Sequence, residues 1–176
     1  MSILWIVFDV DGTLTDGTIH VSGSMKFGNE ESIYESKHFS ARDGLLIRVL
    51  TDIGINTMFL TGRRSIAVDE RARDLKITEV MQGVKDKRET LMRFLEERNI
   101  PSETVAYIGD DLNDYTAMAL CGYKACPADA VIEICEFCDY VSPYNGGHGA
   151  VRDICEHILR RDGKYDAFLN LFSAQR

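Results

Sequence analysis

The chain has 176 residues, 45% of them hydrophobic and 27% charged, a balance that fits one globular domain able to bury its own core. Its net charge of -8 argues against nucleic acid or an anionic membrane as the main partner. No apolar run nears the ~20 residues that cross a bilayer, and the first residues show neither a basic stretch nor a cleavage signal, so a cytoplasmic protein is expected.

Residues 3–8 are bulky and β-branched, too short for a helix, and read as a buried strand. Asp9-Val10-Asp11-Gly12-Thr13 follows at once. Two carboxylates at a strand's carboxyl end, with a glycine turn behind them, sit where open α/β sheets place ligands. They suggest a metal or a covalent intermediate. Residues of about 17–39 break the rhythm: 18–21 and 33–39 look like two strands around a polar middle with Gly28-Asn29-Glu30-Glu31, a hairpin flap outside the core sheet.

Leu46, Val49, Leu50 and Ile53 then mark one face of a helix ending at Gly54. Residues 55–60 form the next buried strand, which stops at Thr61-Gly62-Arg63. A charged helix over about 65–75 leads to a short strand at 79–81, and Asp86 caps a helix with Leu91, Phe94 and Leu95 inside. The strand at 105–108 ends at Gly109-Asp110-Asp111-Leu112-Asn113-Asp114. A helix to about Leu120, a strand near 123–125, a helix around 130–135, a strand at Tyr140-Val141 and a closing helix with Val151, Ile154, Ile158 and Leu159 complete the pattern. Such alternation implies a doubly wound, mostly parallel α/β sheet with helices on both faces, the flap aside, and no cap domain.

Four of the five cysteines fall close together, and Cys135-Glu136-Phe137-Cys138 has a CxxC spacing. Without a second matching pair the preferred reading is small buried hydrophobes in a reducing compartment.

Right-handed winding opens the loops after Asp9 and Asp11, after Thr61, before Lys87 and around Asp110, Asp111 and Asp114 on one sheet edge. An acidic cluster with no soft ligand suits a hard divalent cation, most simply Mg²⁺. Together these elements resemble the haloacid dehalogenase superfamily of phosphatases, over nearly the whole chain, 1–176. The resemblance implies that Asp9 attacks phosphorus and becomes an aspartyl-phosphate. Asp11 acts as general acid and then general base, while Thr61 and Lys87 hold phosphoryl oxygens. Mg²⁺ is implied on Asp9, Asp110 and the backbone carbonyl of Asp11, with Asp114 orienting Lys87 or a metal-bound water. Asp111 is read either as a metal neighbour or as a helix N-terminal charge.

The capless subfamily that hydrolyses 3-deoxy-D-manno-octulosonate 8-phosphate is similar in more detail. The likeness includes Asp16-Gly17, the segment Phe39-Ser40-Ala41-Arg42-Asp43-Gly44, Thr61-Gly62-Arg63, Gln82-Gly83 and Gly146-Gly147-His148-Gly149-Ala150-Val151-Arg152. It implies a sugar-acid phosphate substrate met by Gly62, Arg63 and Arg71, a role in lipopolysaccharide-type sugar synthesis, and a homotetramer joined through the flap. Two alternatives stay open: a nine-carbon sialic-acid-type 9-phosphate as substrate, and a non-catalytic oligomerisation module. The apolar segment 165–172 docks either on a partner or on its own core.

Overall fold

The structure, a computed structural model, describes residues 1–25 and 31–173. Its strands are β1 (Trp5–Phe8), β2 (His20–Met25), β3 (Glu31–Ser36), β4 (Asn56–Thr61), β5 (Glu79–Gln82), β6 (Val105–Ile108), β7 (Tyr123–Cys126) and β8 (Tyr140–Val141). Six of them form one sheet in the order β5-β4-β1-β6-β7-β8, with every pairing parallel. The helices are α1 (Ala41–Ile47), α2 (Ile66–Asp74), α3 (Lys87–Glu97), α4 (Leu112–Met118), α5 (Ile132–Phe137), α6 (Ala150–Arg161) and α7 (Tyr165–Ser173).

The two-residue alternation of β1 divides the core between the sheet's faces. Ile6 and Phe8 join Leu46, Leu50, Val68, Ile154 and Ile158 beneath α1, α2 and α6. Trp5 and Val7 join Leu91, Phe94, Ala117, Met118 and Ile134 beneath α3, α4 and α5. All four β1 residues are buried, which is why the strand reads as an unbroken apolar run rather than an alternating one. α7 lays Phe168 into the first of these clusters and leaves Leu169 and Phe172 exposed.

The parallel order places β1 between β4 and β6, so the loops after these three strands meet at one edge. The turn after β1 is tight. Gly12 has φ +94°, and a Cβ there would lie 2.0 Å from Asp110 Oδ2. Gly146 rests on the same turn, where a Cβ would meet the Gly12 carbonyl oxygen at 1.8 Å, and the Gly147 N–H donates to the Thr13 carbonyl at 3.1 Å. Only hydrogen side chains allow these approaches.

Helix α1 differs from its expected bounds. It starts at Ala41, where Ser40 accepts from the Asp43 N–H, and it stops at Ile47; a separate 3₁₀ turn over Thr51–Ile53 leads to left-handed Gly54. The Ser40 cap sets the start, while the apolar spacing Leu46-Val49-Leu50-Ile53 runs across the break. Buried Asp43 accepts from the Arg152 N–H at 2.8 Å and so ties α1 to the first turn of α6. The flap strands pair from His20↔Ser36 to Met25↔Glu31. β2 thus runs further than expected, through Ser22-Gly23-Ser24, which has no apolar signal. Gly28, Asn29 and Glu30 lie outside the described residues.

The cysteines are free thiols; the sulfurs of Cys126 and Cys135 are 3.9 Å apart, and Cys121, Cys126 and Cys155 are buried. Among the described residues no helix is long and apolar enough to cross a membrane.

Candidate active site

Asp9 follows β1 directly and its N–H donates to the Ile108 carbonyl at 2.9 Å, which fixes its backbone to the end of β6. Lys87 opens α3 behind the Asp86 cap. Its ammonium, 3% exposed, donates to Asp9 Oδ1 at 2.5 Å and to Asp114 Oδ1 at 2.6 Å. Asp114, in the first turn of α4, is fully buried and saturated. Its Oδ1 also accepts from the Tyr107 hydroxyl at 2.7 Å, and its Oδ2 accepts from the Asp110 and Asp111 N–H groups at 3.3 and 3.5 Å. Asp110 accepts from the Thr13 hydroxyl at 2.9 Å.

Carboxylate oxygens of Asp9, Asp110 and Asp114 lie within 4.8 Å of one another, against the single ammonium of Lys87. That excess of negative charge out of water is costly. Burial, followed by the Asp114 charge, pushes the Asp9 carboxyl up to about 8, although Lys87 pulls the other way. Burial likewise raises Asp110 to about 7 against the Thr13 hydrogen bond. For Lys87 burial acts downward, but the carboxylates of Asp9 and Asp114 outweigh it and hold the ammonium above its ordinary range. A cation of higher charge would relieve the cluster. Asp114 has spent its oxygens on Lys87, Tyr107 and two N–H groups, whereas Asp9 and Asp110 keep oxygens to offer. The donors are all hard, as Mg²⁺ or a similar ion requires.

Asp11 stands apart from this cluster. Its Oδ1 accepts from the Lys37 ammonium, and the Arg63 Nε lies 4.0 Å from its Oδ2. Arg63 also reaches Glu35 Oε1 at 3.1 Å, so the base of the flap closes on the rim of the crevice. Thr61, 2% exposed, ends β4; its hydroxyl accepts from the Arg63 N–H at 3.4 Å across Gly62. The Gly83 and Val84 N–H groups donate to the Arg63 and Thr61 carbonyls and brace the loop.

A family model for haloacid dehalogenase-like hydrolases matches residues 74–154. The chain is 38% identical to Escherichia coli (strain K12) 3-deoxy-D-manno-octulosonate 8-phosphate phosphatase KdsC over 165 residues, which cover 94% of this chain and 84% of that one. The chain belongs to the KdsC family of haloacid dehalogenase-like hydrolases. The crystal structure of 3-deoxy-D-manno-octulosonate 8-phosphate phosphatase from Moraxella catarrhalis, in complex with magnesium, phosphate and KDO, superposes with TM-score 0.85 at 36% identity, the match covering 97% of this chain and 93% of that one. The cobalt-bound Haemophilus influenzae phosphatase gives TM-score 0.82 at 36% identity, covering 95% and 93%.

The KdsC-like fold brings Asp9, Lys87, Asp110 and Asp114 into direct contact or near it, with Asp11, Thr61, Gly62 and Arg63 at the mouth. Asp111 is the N-cap of α4: its carboxylate accepts from the Leu112 N–H at 2.7 Å within a capping box, the second of the two roles open from the sequence. Arg71 is held elsewhere. It donates to Asp74 at 2.7 Å and to the Ser40 carbonyl at 3.2 Å, and it lies over Phe39 and against Gly44, so its contacts are with its own helix and with the segment that opens α1. A helix-surface arginine in sequence gives no sign of which flank it folds over. The structure adds Tyr107, Thr13 and Lys37 to the site. Tyr107 had one available signal: a tyrosine inside an otherwise apolar buried strand needs a partner for its hydroxyl.

Proposed function

We propose that the chain is a Mg²⁺-dependent phosphatase, a single haloacid-dehalogenase-like hydrolase domain acting on 3-deoxy-D-manno-octulosonate 8-phosphate. The observation that carries this reading is a buried Asp9 gripped at one oxygen by Lys87, beside an acidic cluster that wants a cation. The 38% identity to KdsC across 94% of the chain supports the substrate.

Lys87 fixes Asp9 through Oδ1 and leaves Oδ2 to attack phosphorus. The Asp9–phosphorus bond forms as the bond to the sugar oxygen breaks, and Asp11 supplies that oxygen with its proton. Asp11 then takes a proton from the water that releases phosphate and restores Asp9. Thr61, Lys87 and the N–H groups of the turn after Asp9 hold the phosphoryl oxygens. Asp9, Asp110 and the Asp11 carbonyl would hold Mg²⁺, which would supply positive charge to offset that of the transferring group. Arg63, with Gly62 giving room beside it, faces the substrate's acid group. Arg71 is left out of this reading because its contacts are with Asp74 and with the segment that opens α1.

A homotetramer joined through the flap, in the cytoplasm, completes the proposal. It is supported by exposed Ile19 and Val21 at the start of the hairpin, apolar groups that a neighbouring copy would cover.

The test is phosphate release from the eight-carbon 8-phosphate and from a nine-carbon sialic-acid-type 9-phosphate, each with and without Mg²⁺. Release from the first alone, lost without metal, is the expected result. Preference for the second transfers the assignment to the nine-carbon substrate, and release from neither leaves the oligomerisation module. The cation must also compete with protons on Asp9 and Asp110. Calorimetric Mg²⁺ affinity is therefore expected to weaken as pH falls through about 8 and then about 7, the values to which burial raises these two groups. An affinity that stays constant across that window would contradict the assigned ligands.

A further inference from the structure

Lys37 lies one residue beyond β3, yet its side chain is only 1% exposed. Removing an ammonium from water to that extent costs several kcal/mol unless it is matched by charge. The match comes from Asp11, whose Oδ1 accepts from Lys37, and from Glu35 Oε1 at 3.7 Å. Arg63 at 4.0 Å faces the other Asp11 oxygen. Asp11 is thus drawn toward two cations at the flap base, while Asp9, Asp110 and Asp114 share the inner cluster without it.

We infer that Lys37 is a positioning residue for Asp11, holding its carboxyl group out of the acid cluster and at the mouth, where the sugar oxygen departs. The inference rests on the phosphatase reading above. In the first step the proton leaves Asp11 for the sugar oxygen as the phosphorus–oxygen bond breaks, and negative charge appears on the Asp11 oxygens. The ammonium already lies against one of them, so no reorganisation is needed at that moment. In the second step the same carboxylate accepts the proton of the attacking water. Without Lys37 the half-exposed Arg63, 4.0 Å away, is left as the cation facing Asp11, a weaker hold against the buried cluster, and a displacement of about 1 Å in a reacting group costs about a hundredfold.

The test compares two esters. The sugar 8-phosphate needs a proton on its departing oxygen, whereas p-nitrophenyl phosphate expels a stabilised phenolate without one. Lys37→Met is expected to lower kcat for the sugar ester by about 10- to 100-fold, within the range that placed proton transfer supplies. The ratio of kcat between the two esters should shift by a similar factor, with KM for the sugar ester and calorimetric Mg²⁺ affinity little changed. Lys37→Arg, which keeps the charge, should recover part of that ratio. Equal losses on both esters, or a raised KM with kcat intact, would overturn the positioning role while the phosphatase reading stands. A wild-type protein that hydrolyses neither ester overturns both.

Discussion

Asp9→Asn is expected to lower turnover by ~10⁴-fold or more, the scale on which losing a covalent nucleophile registers, while the fold survives. The amide is nearly isosteric, so the packing around this buried side chain keeps its shape. It cannot form the phosphoryl ester. The stability of the metal-free protein should move the other way. Burial raises the Asp9 carboxyl from 3.8 to about 8 in the folded chain. The folded state thus favours the protonated acid; that advantage is complete below the unfolded value and is lost as pH rises through about 8. Asn removes the titration. Thermal unfolding of the metal-free variant should be less sensitive to pH between those limits than that of the parent, and its Tm at alkaline pH should be higher. Appreciable turnover by the variant, or failure to trap beryllium fluoride on the Asp9 carboxylate of the parent, would refute the covalent route.

Lys87→Met should damage both stability and catalysis. The ammonium lies between Asp9 at 2.5 Å and Asp114 at 2.6 Å, with all three side chains at most 6% exposed. Methionine fills similar volume but leaves two buried carboxylates facing each other, and removing one partner from a buried ionic group costs about 3–5 kcal/mol. Turnover should fall by about a hundredfold or more, since Asp9 loses its anchor and the phosphoryl group a counter-charge. The stability deficit should shrink at lower pH, where Asp9 takes up a proton, and on adding Mg²⁺, which supplies the missing positive charge. Chemical denaturation at two pH values, with and without Mg²⁺, checks both. A deficit indifferent to pH and metal would show that Lys87 acts through packing alone.

The site was legible where its chemistry is local. Asp9 and Asp110 announce themselves because each ends an apolar strand, and the parallel order that unites them follows from strand–helix alternation. Lys87 was legible from its place near the start of a helix after the fourth short strand, together with the family resemblance of the segment Gly83-Val84-Lys85-Asp86-Lys87. Lys37 was not, because its partner Asp11 is 26 residues away across a hairpin with no apolar code for its closure. Arg71 shows the converse. Its helix was legible, but the direction in which its guanidinium folds depends on the bare backbone of Gly44 and the ring of Phe39. The start of α1 was readable from Ser40 only once the cap outweighed the apolar spacing further on.

The central strand has a consequence for how the protein is made. β1 is hydrogen-bonded on both sides, to strands that begin at Asn56 and Val105. On the ribosome Asp9 therefore emerges early and is made well before either strand that flanks β1. Its lysine partner follows in α3, and the tyrosine and the second carboxylate that complete the grip come only with β6 and α4. A nascent chain halted before that point carries Asp9 without Tyr107 and Asp114, so under the proposed function the grip on this residue would be completed only once α4 has been made.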